Sequence, residues 1–97
     1  MFHKVNIAIQ VLPSSGSIHP YLIIDKAIKM IHESGLKYRV CPFETVIEGE
    51  YDTIMNLLKD IQLECMKYGA EKLLTNLKIE LDRDCDVSID DKMGKYD

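Results

Sequence analysis

Tyr38-Arg39-Val40-Cys41-Pro42-Phe43-Glu44-Thr45-Val46-Ile47-Glu48-Gly49-Glu50 decides how this chain folds. Tyr38, Val40, Val46 and Ile47 favour extended backbone. Pro42 cannot donate to a sheet ladder and belongs in a turn, a bulge or an edge. The stretch therefore predicts two short strands turned at Pro42 to Glu44, with one carboxylate, Glu48, inside the second strand. Outward from this hairpin the chain repeats a unit: a strand and a helix before it, a helix and a strand after it.

His3 to Leu12 alternates, with Val5, Ile7, Ile9 and Val11 on one side and Asn6, Ala8, Gln10 and Leu12 on the other. That is the period of a strand, and Ala8 and Leu12 on the second side imply that both faces are at least partly covered. A small polar loop, Pro13 to Ser17, follows. Pro20 suits a first helical turn, and Ile24, Ala27, Ile28 and Ile31 recur at helical spacing up to a stop at Gly35. After the hairpin, Asp52 is the expected cap of a second helix, whose stripe of Ile54, Leu57, Leu58, Ile61, Cys65 and Tyr68 ends at Gly69. Leu73 to Leu81 alternates again and makes a fourth strand. Asp82 to Asp86 is a charged turn, and Ser88-Ile89-Asp90-Asp91 resembles a capping box for a short final helical turn.

This order, βα, ββ, αβ, fits an α+β ferredoxin-like βαββαβ sandwich: an antiparallel four-stranded sheet with two helices on one face, in one domain over residues 1–97. Asn6, Gln10, Lys78, Glu80 and, by hairpin register, Cys41, Val46 and Glu48 then fall on the opposite face. That face is too apolar for water, so the expectation is a homo-oligomer, dimer or tetramer, pairing through sheet faces.

Composition excludes several function classes. A net charge of −4 over 97 residues weighs against nucleic acid, which needs clustered Lys and Arg. No apolar run approaches the roughly 20 residues that span a bilayer, and the first residues lack the pattern of a secretory signal, so a cytoplasmic location is expected. Cys41, Cys65 and Cys85 are odd in number and unpaired by motif, and His3, His19 and His32 share no ligand spacing. Neither a disulfide framework nor a metal site is expected. No catalytic arrangement and no Gly-rich phosphate loop is readable, so the chain is expected not to be an enzyme and to require no cofactor.

Ala8-Ile9-Gln10-Val11-Leu12-Pro13, the hairpin with its Thr-x-x-Glu-Gly element at Thr45 to Gly49, and Leu77-Lys78-Ile79 together resemble the thiamine-binding (YkoF-like) protein family. The resemblance implies non-catalytic binding of thiamine or its hydroxymethylpyrimidine portion by a small oligomer. Thiamine pairs a cationic thiazolium with an aminopyrimidine, and an acidic or amide-bearing pocket with an aromatic wall suits it. The candidate ligand-binding residues are Gln10, Tyr21, Thr45 and Glu48. Glu48 would accept from the exocyclic amine, or donate to a ring nitrogen if burial keeps it protonated, Gln10 would both donate and accept, and Tyr21 would offer a ring face. Each has a structural alternative: a salt bridge to Lys78 for Glu48, an interface hydrogen bond for Gln10, a strand-forming side chain for Thr45. The competing function is an oligomeric protein-interaction module without a small ligand.

Overall fold

The computed structural model describes residues 3–97 and has the expected ferredoxin-like topology. Strand β1 (Val5–Ser14) leads to helix α1 (Pro20–Glu33), the hairpin β2 (Lys37–Val40) and β3 (Thr45–Gly49), helix α2 (Tyr51–Tyr68) and strand β4 (Lys72–Glu80). A short helix α3 (Ile89–Met93) and a single 3-10 turn (Gly94–Tyr96) close the chain. The sheet order is β2-β3-β1-β4, all antiparallel, so β1 is central as its two-sided apolar character requires.

The register places Ile7 between Ile47 and Ile79, and Ile9 between Thr45 and Leu77. These side chains share the face on which both helices lie. From α1, Ile23, Ala27 and Ile31 are buried, and from α2, Ile54, Leu58, Ile61 and Cys65. With Val5, Ile7, Ile9 and Ile47 they form one core. Each fully buried Ile is worth about 1.5 to 3 kcal/mol in surface removed from water.

Several local expectations are corrected. The buried row of α1 runs through Ile23, while Ile24 and Ile28 sit half-buried on its flank, because the axis of α1 turns the i, i+4, i+8 row of Ile23, Ala27 and Ile31 into the core. Helix α2 begins one residue before Asp52, with Glu50 at the cap position making no side-chain cap; the Glu50 carbonyl accepts from the Ile54 amide at 3.0 Å. Tyr68 is exposed at the end of that helix. The hairpin turn spans Cys41 to Glu44, closed by the Cys41 amide donating to the Glu44 carbonyl at 2.9 Å.

The face away from the helices is only partly open. The segment after β4 turns through exposed Asp82 to Asp86 and crosses one end of that face. The Lys4 carbonyl accepts from the Val87 amide, and the Lys4 amide donates to Asp86. Asn6 Nδ2 donates to the Val87 carbonyl at 3.0 Å, which leaves the buried Asn6 Oδ1 as the acceptor without a partner among the described residues. Val87 and Ile89 are buried under this strap, and Ser88 caps α3 by accepting from the Asp91 amide, as the Ser-Ile-Asp-Asp pattern predicts. Ion pairs from Lys37 to Asp90, Arg39 to Asp97 and Lys92 to Glu80 tie its outer side to the sheet.

Candidate functional site

Two concave regions meet at the hairpin turn. The first is a cleft of about 300 Å³ on the helix side, where the turn between β2 and β3 approaches α1. Its wall is apolar: Ile9 and Val11 from β1, Ile24, Ala27, Ile28 and Ile31 from α1, and Ile61 from α2. The half-buried flank of α1, Ile24 and Ile28, is therefore the side of a cleft. Gln10, Tyr21, Glu44 and Thr45 supply its polar members, and Phe43 stands at its rim, 80% exposed.

Each of these positions has a local cause. Thr45 opens β3 opposite Ile9 and points to the helix side, where it is 7% exposed. Its hydroxyl has no partner among the described residues. Tyr21 lies in the first turn of α1, where His19 caps the helix by accepting from the Tyr21 amide at 3.2 Å; the two rings stand 5.1 Å apart. The Tyr21 ring is mostly exposed and free to cover a ligand.

The second region is a trough of about 480 Å³ on the open face of the sheet, floored by Ala8, Val46 and Asn76 and bounded by the same turn. Gln10 and Glu44 line both regions. Gln10 Oε1 accepts from Asn76 Nδ2 at 3.2 Å across β1 and β4, leaving the Gln10 amide hydrogens available. Glu44 Oε1 sits 3.2 Å from Lys78 Nζ, and the Glu44 side chain is only 24% exposed.

Three of the four sequence candidates, Gln10, Tyr21 and Thr45, thus come together at the helix-side cleft. Glu48 does not join them. In β3 it lies three residues from Thr45 and so on the opposite face, where its Oε1 accepts from the Ile89 amide at 2.8 Å beneath the strap. The alternative of a Glu48 to Lys78 salt bridge is also not formed, since Lys78 pairs with Glu44. Gly49, next to Glu48, faces the helices, and what approaches it closely is protein: a Cβ there would meet Leu36 at 3.1 Å and Ile54 at 3.7 Å.

The carboxylate that does reach the cleft is Glu44, which the sequence placed in the turn and gave no role. Its one visible signal was position: it immediately precedes Thr45, on a turn carrying the exposed aromatic Phe43. Among the described residues no cluster of His, Cys, Asp and Glu is arranged to hold a metal ion, and no helix is long and apolar enough to cross a membrane.

Comparison with known proteins points one way. The thiamine-binding protein family matches residues 7–97. A UPF0045 protein of Clostridium perfringens is 35% identical over 91 residues, which is 94% of this chain and 95% of that protein. A solved domain of unknown function from Bacillus cereus is 35% identical, with a TM-score of 0.92 over 98% of this chain and 91% of that one. A structure described as a putative thiamine biosynthesis/salvage protein from Thermotoga maritima is 31% identical, with a TM-score of 0.88 over 97% of this chain and 99% of that one.

Proposed function

Because the chain belongs to the thiamine-binding protein family, we propose that it binds thiamine or its hydroxymethylpyrimidine portion in the helix-side cleft, without chemistry. The observation that supports this most is the convergence there of Gln10, Tyr21, Glu44 and Thr45 on an apolar wall. An aminopyrimidine is flat, apolar on its faces and edged with adjacent donors and acceptors. Ile24, Ile28 and Val11 suit its faces, and the Thr45 hydroxyl and Glu44 carboxylate suit its edge. Tyr21 closes over the ring or over the cationic thiazolium. Glu44 takes the part that the sequence alone assigned to Glu48, and its negative charge favours the thiazolium once Lys78 yields to the ligand.

The same reading holds the protein to be a homo-oligomer in the cytoplasm, dimer or tetramer, packed through the open faces of its sheets. Leu12 and Leu74 oppose each other on that face at 44% and 60% exposed, beside Ala8 and Val46. Exposed leucines on the same sheet face as a trough floored by Ala8 and Val46 favour burial against a second subunit. This is also the observation behind the competing interaction-module reading, in which that face is the whole function.

Thermal melts with thiamine, hydroxymethylpyrimidine and unrelated organic cations separate the two. A ligand present at about 100 times its dissociation constant stabilises by roughly 2.7 kcal/mol. Stabilisation by thiamine or hydroxymethylpyrimidine but not by the other cations is the expected result. No shift with either of the two sinks the ligand reading and leaves the interaction module.

A further inference from the structure

Glu44 is held twice. Its backbone is fixed in the hairpin turn by the Cys41 amide, which donates to the Glu44 carbonyl at 2.9 Å. Its carboxylate is held from across the sheet, with Lys78 Nζ of β4 lying 3.2 Å from Oε1. The register explains how a lysine two strands away reaches it. Ala8 of β1 stands between Val46 of β3 and Lys78 of β4, and these three share the open face. The single methyl of Ala8 leaves room for the Lys78 stem to cross β1 toward the turn, where Glu44 lies two positions before Val46.

The two partners differ in exposure: the Lys78 side chain is 79% exposed and that of Glu44 24%. Other polar groups beside Lys78 on that face are already engaged, Glu80 with Lys92 and Gln10 Oε1 with Asn76 Nδ2. Glu44 borders both the cleft and the trough. A cation standing on the open face therefore bears directly on the charge that the turn offers to a ligand on the helix side.

Resting on the ligand reading above, we propose that Lys78 is a positioning residue that sets the charge selectivity of the cleft: it holds Glu44 Oε1, leaving Oε2 for a neutral aminopyrimidine and opposing a cationic thiazolium. An ionised carboxylate has about four acceptor positions, so Glu44 accepts from an exocyclic amine without releasing the lysine. The quaternary nitrogen of a thiazolium has no N–H to donate. It gains from Glu44 through charge, and the nearby Lys78 ammonium offsets that charge. Hydroxymethylpyrimidine thus binds with the ion pair intact, whereas thiamine binds against it. Because Lys78 is exposed, solvent screens the effect, which is a modest factor in affinity and not an all-or-none gate.

Calorimetry at low salt with thiamine and with hydroxymethylpyrimidine, on wild type, Lys78→Met and Lys78→Arg, reads the ratio of the two affinities. Circular dichroism confirms that each variant is folded. Lys78→Met keeps the stem and removes the charge, and it is expected to tighten thiamine by about two- to fivefold while leaving hydroxymethylpyrimidine unchanged. Lys78→Arg keeps the charge and should keep the wild-type ratio. Raised salt should narrow the gap between wild type and Lys78→Met. If both ligands bind wild type with a ratio that Lys78→Met leaves unchanged, the proposal is overturned and the cleft stands as a ligand site. A Lys78→Arg ratio that matches Lys78→Met overturns it too, since charge would then not be what Lys78 supplies. A wild type that binds neither ligand overturns the ligand reading, and the proposal falls with it.

Discussion

Glu48 Oε1 accepts the Ile89 backbone N–H at 2.8 Å, joining the end of β3 away from the hairpin turn to the start of α3 across 41 positions of sequence. The bond explains why a carboxylate occupies an otherwise β-prone strand. Ile89 is 6% exposed, and its amide belongs to the first turn of α3, where no carbonyl of the same helix is available to it. A carboxylate at that place satisfies the donor, and its charge is favourable beside Lys37, its cross-strand neighbour. Asp90, chiefly through its hydrogen bond, and Glu48 more weakly through its field, both raise the pKa of Lys37. Glu48 therefore fastens the C-terminal strap to the sheet.

Glu48→Ala should accordingly act on stability. It leaves the Ile89 amide without an acceptor, at a cost of about 1 to 2 kcal/mol, or roughly 4 to 16 °C in Tm for a domain of this size. Glu48→Gln keeps an acceptor oxygen and should lose less. Thiamine affinity measured by calorimetry on either variant should stay within about twofold of wild type. A tenfold loss of affinity in Glu48→Gln with an unchanged Tm would return Glu48 to the ligand site.

Thr45 and Glu44 make the complementary prediction. Thr45→Val preserves shape and β-branching, so the melt should barely move, while affinity falls by about 0.5 to 1.5 kcal/mol if the hydroxyl bonds the pyrimidine edge. Glu44→Gln should penalise the cationic thiamine more than the neutral hydroxymethylpyrimidine, because only the former senses the lost charge. Equal loss for both ligands would place the thiazolium away from Glu44.

The order of elements was legible because its signals are local. Val5, Ile7 and Ile9 alternate, Ala27 and Ile31 recur at helical spacing, and Pro20, Gly35 and Gly69 punctuate the helices within a residue or two of where they begin and end. Parity along β3 was equally legible, and it separates Thr45 from Glu48. What it could not supply was the partner of Glu48. The strap has only Val87 and Ile89 as buried apolar residues amid a run of charge, too short a pattern to show which way it folds back. Glu44 escaped notice for the same reason, since its place over the cleft is set by the hairpin turn meeting α1, a contact between elements distant in sequence.

Gly69 and Gly35 end their helices with positive φ, and they should respond differently to substitution. At Gly35 (φ 77°) an added Cβ meets nothing within 4 Å, so Gly35→Ala carries only backbone strain, about 1 kcal/mol or somewhat more. At Gly69 (φ 138°) the Cβ would lie 2.6 Å from Cγ1 and 3.3 Å from Cβ of Ile18. Strain and clash then add, and the loop before α1 must move. Gly69→Ala should lower Tm clearly more than Gly35→Ala, and comparable melts for the two would mean that Ile18 gives way freely.

Cys85 is exposed, yet its reactivity should be held down by its neighbours. The Asp82 carboxylate beside the thiol, then partial desolvation, then the charges of Asp82, Asp84 and Asp86 push the Cys85 pKa up, while backbone amides of the same turn, Asp84 first, hold the Asp82 pKa down. The signs are consistent: the turn favours a thiol beside a carboxylate over a thiolate beside one. Only the thiolate attacks a disulfide reagent. The rate of Cys85 labelling should therefore rise with pH along a curve displaced to higher pH than that of an unperturbed thiol. Cys65 will not interfere, being fully buried with its pKa also raised, by burial first and then by Glu64, and Cys41→Ser removes the remaining thiol. Asp82→Asn takes away the charge and keeps the size, so it should move the Cys85 curve back to lower pH and speed labelling at neutral pH. High salt should do part of the same by screening Asp84 and Asp86. An Asp82→Asn curve that coincides with the parent's would mean that the turn holds no carboxylate against the thiol in solution.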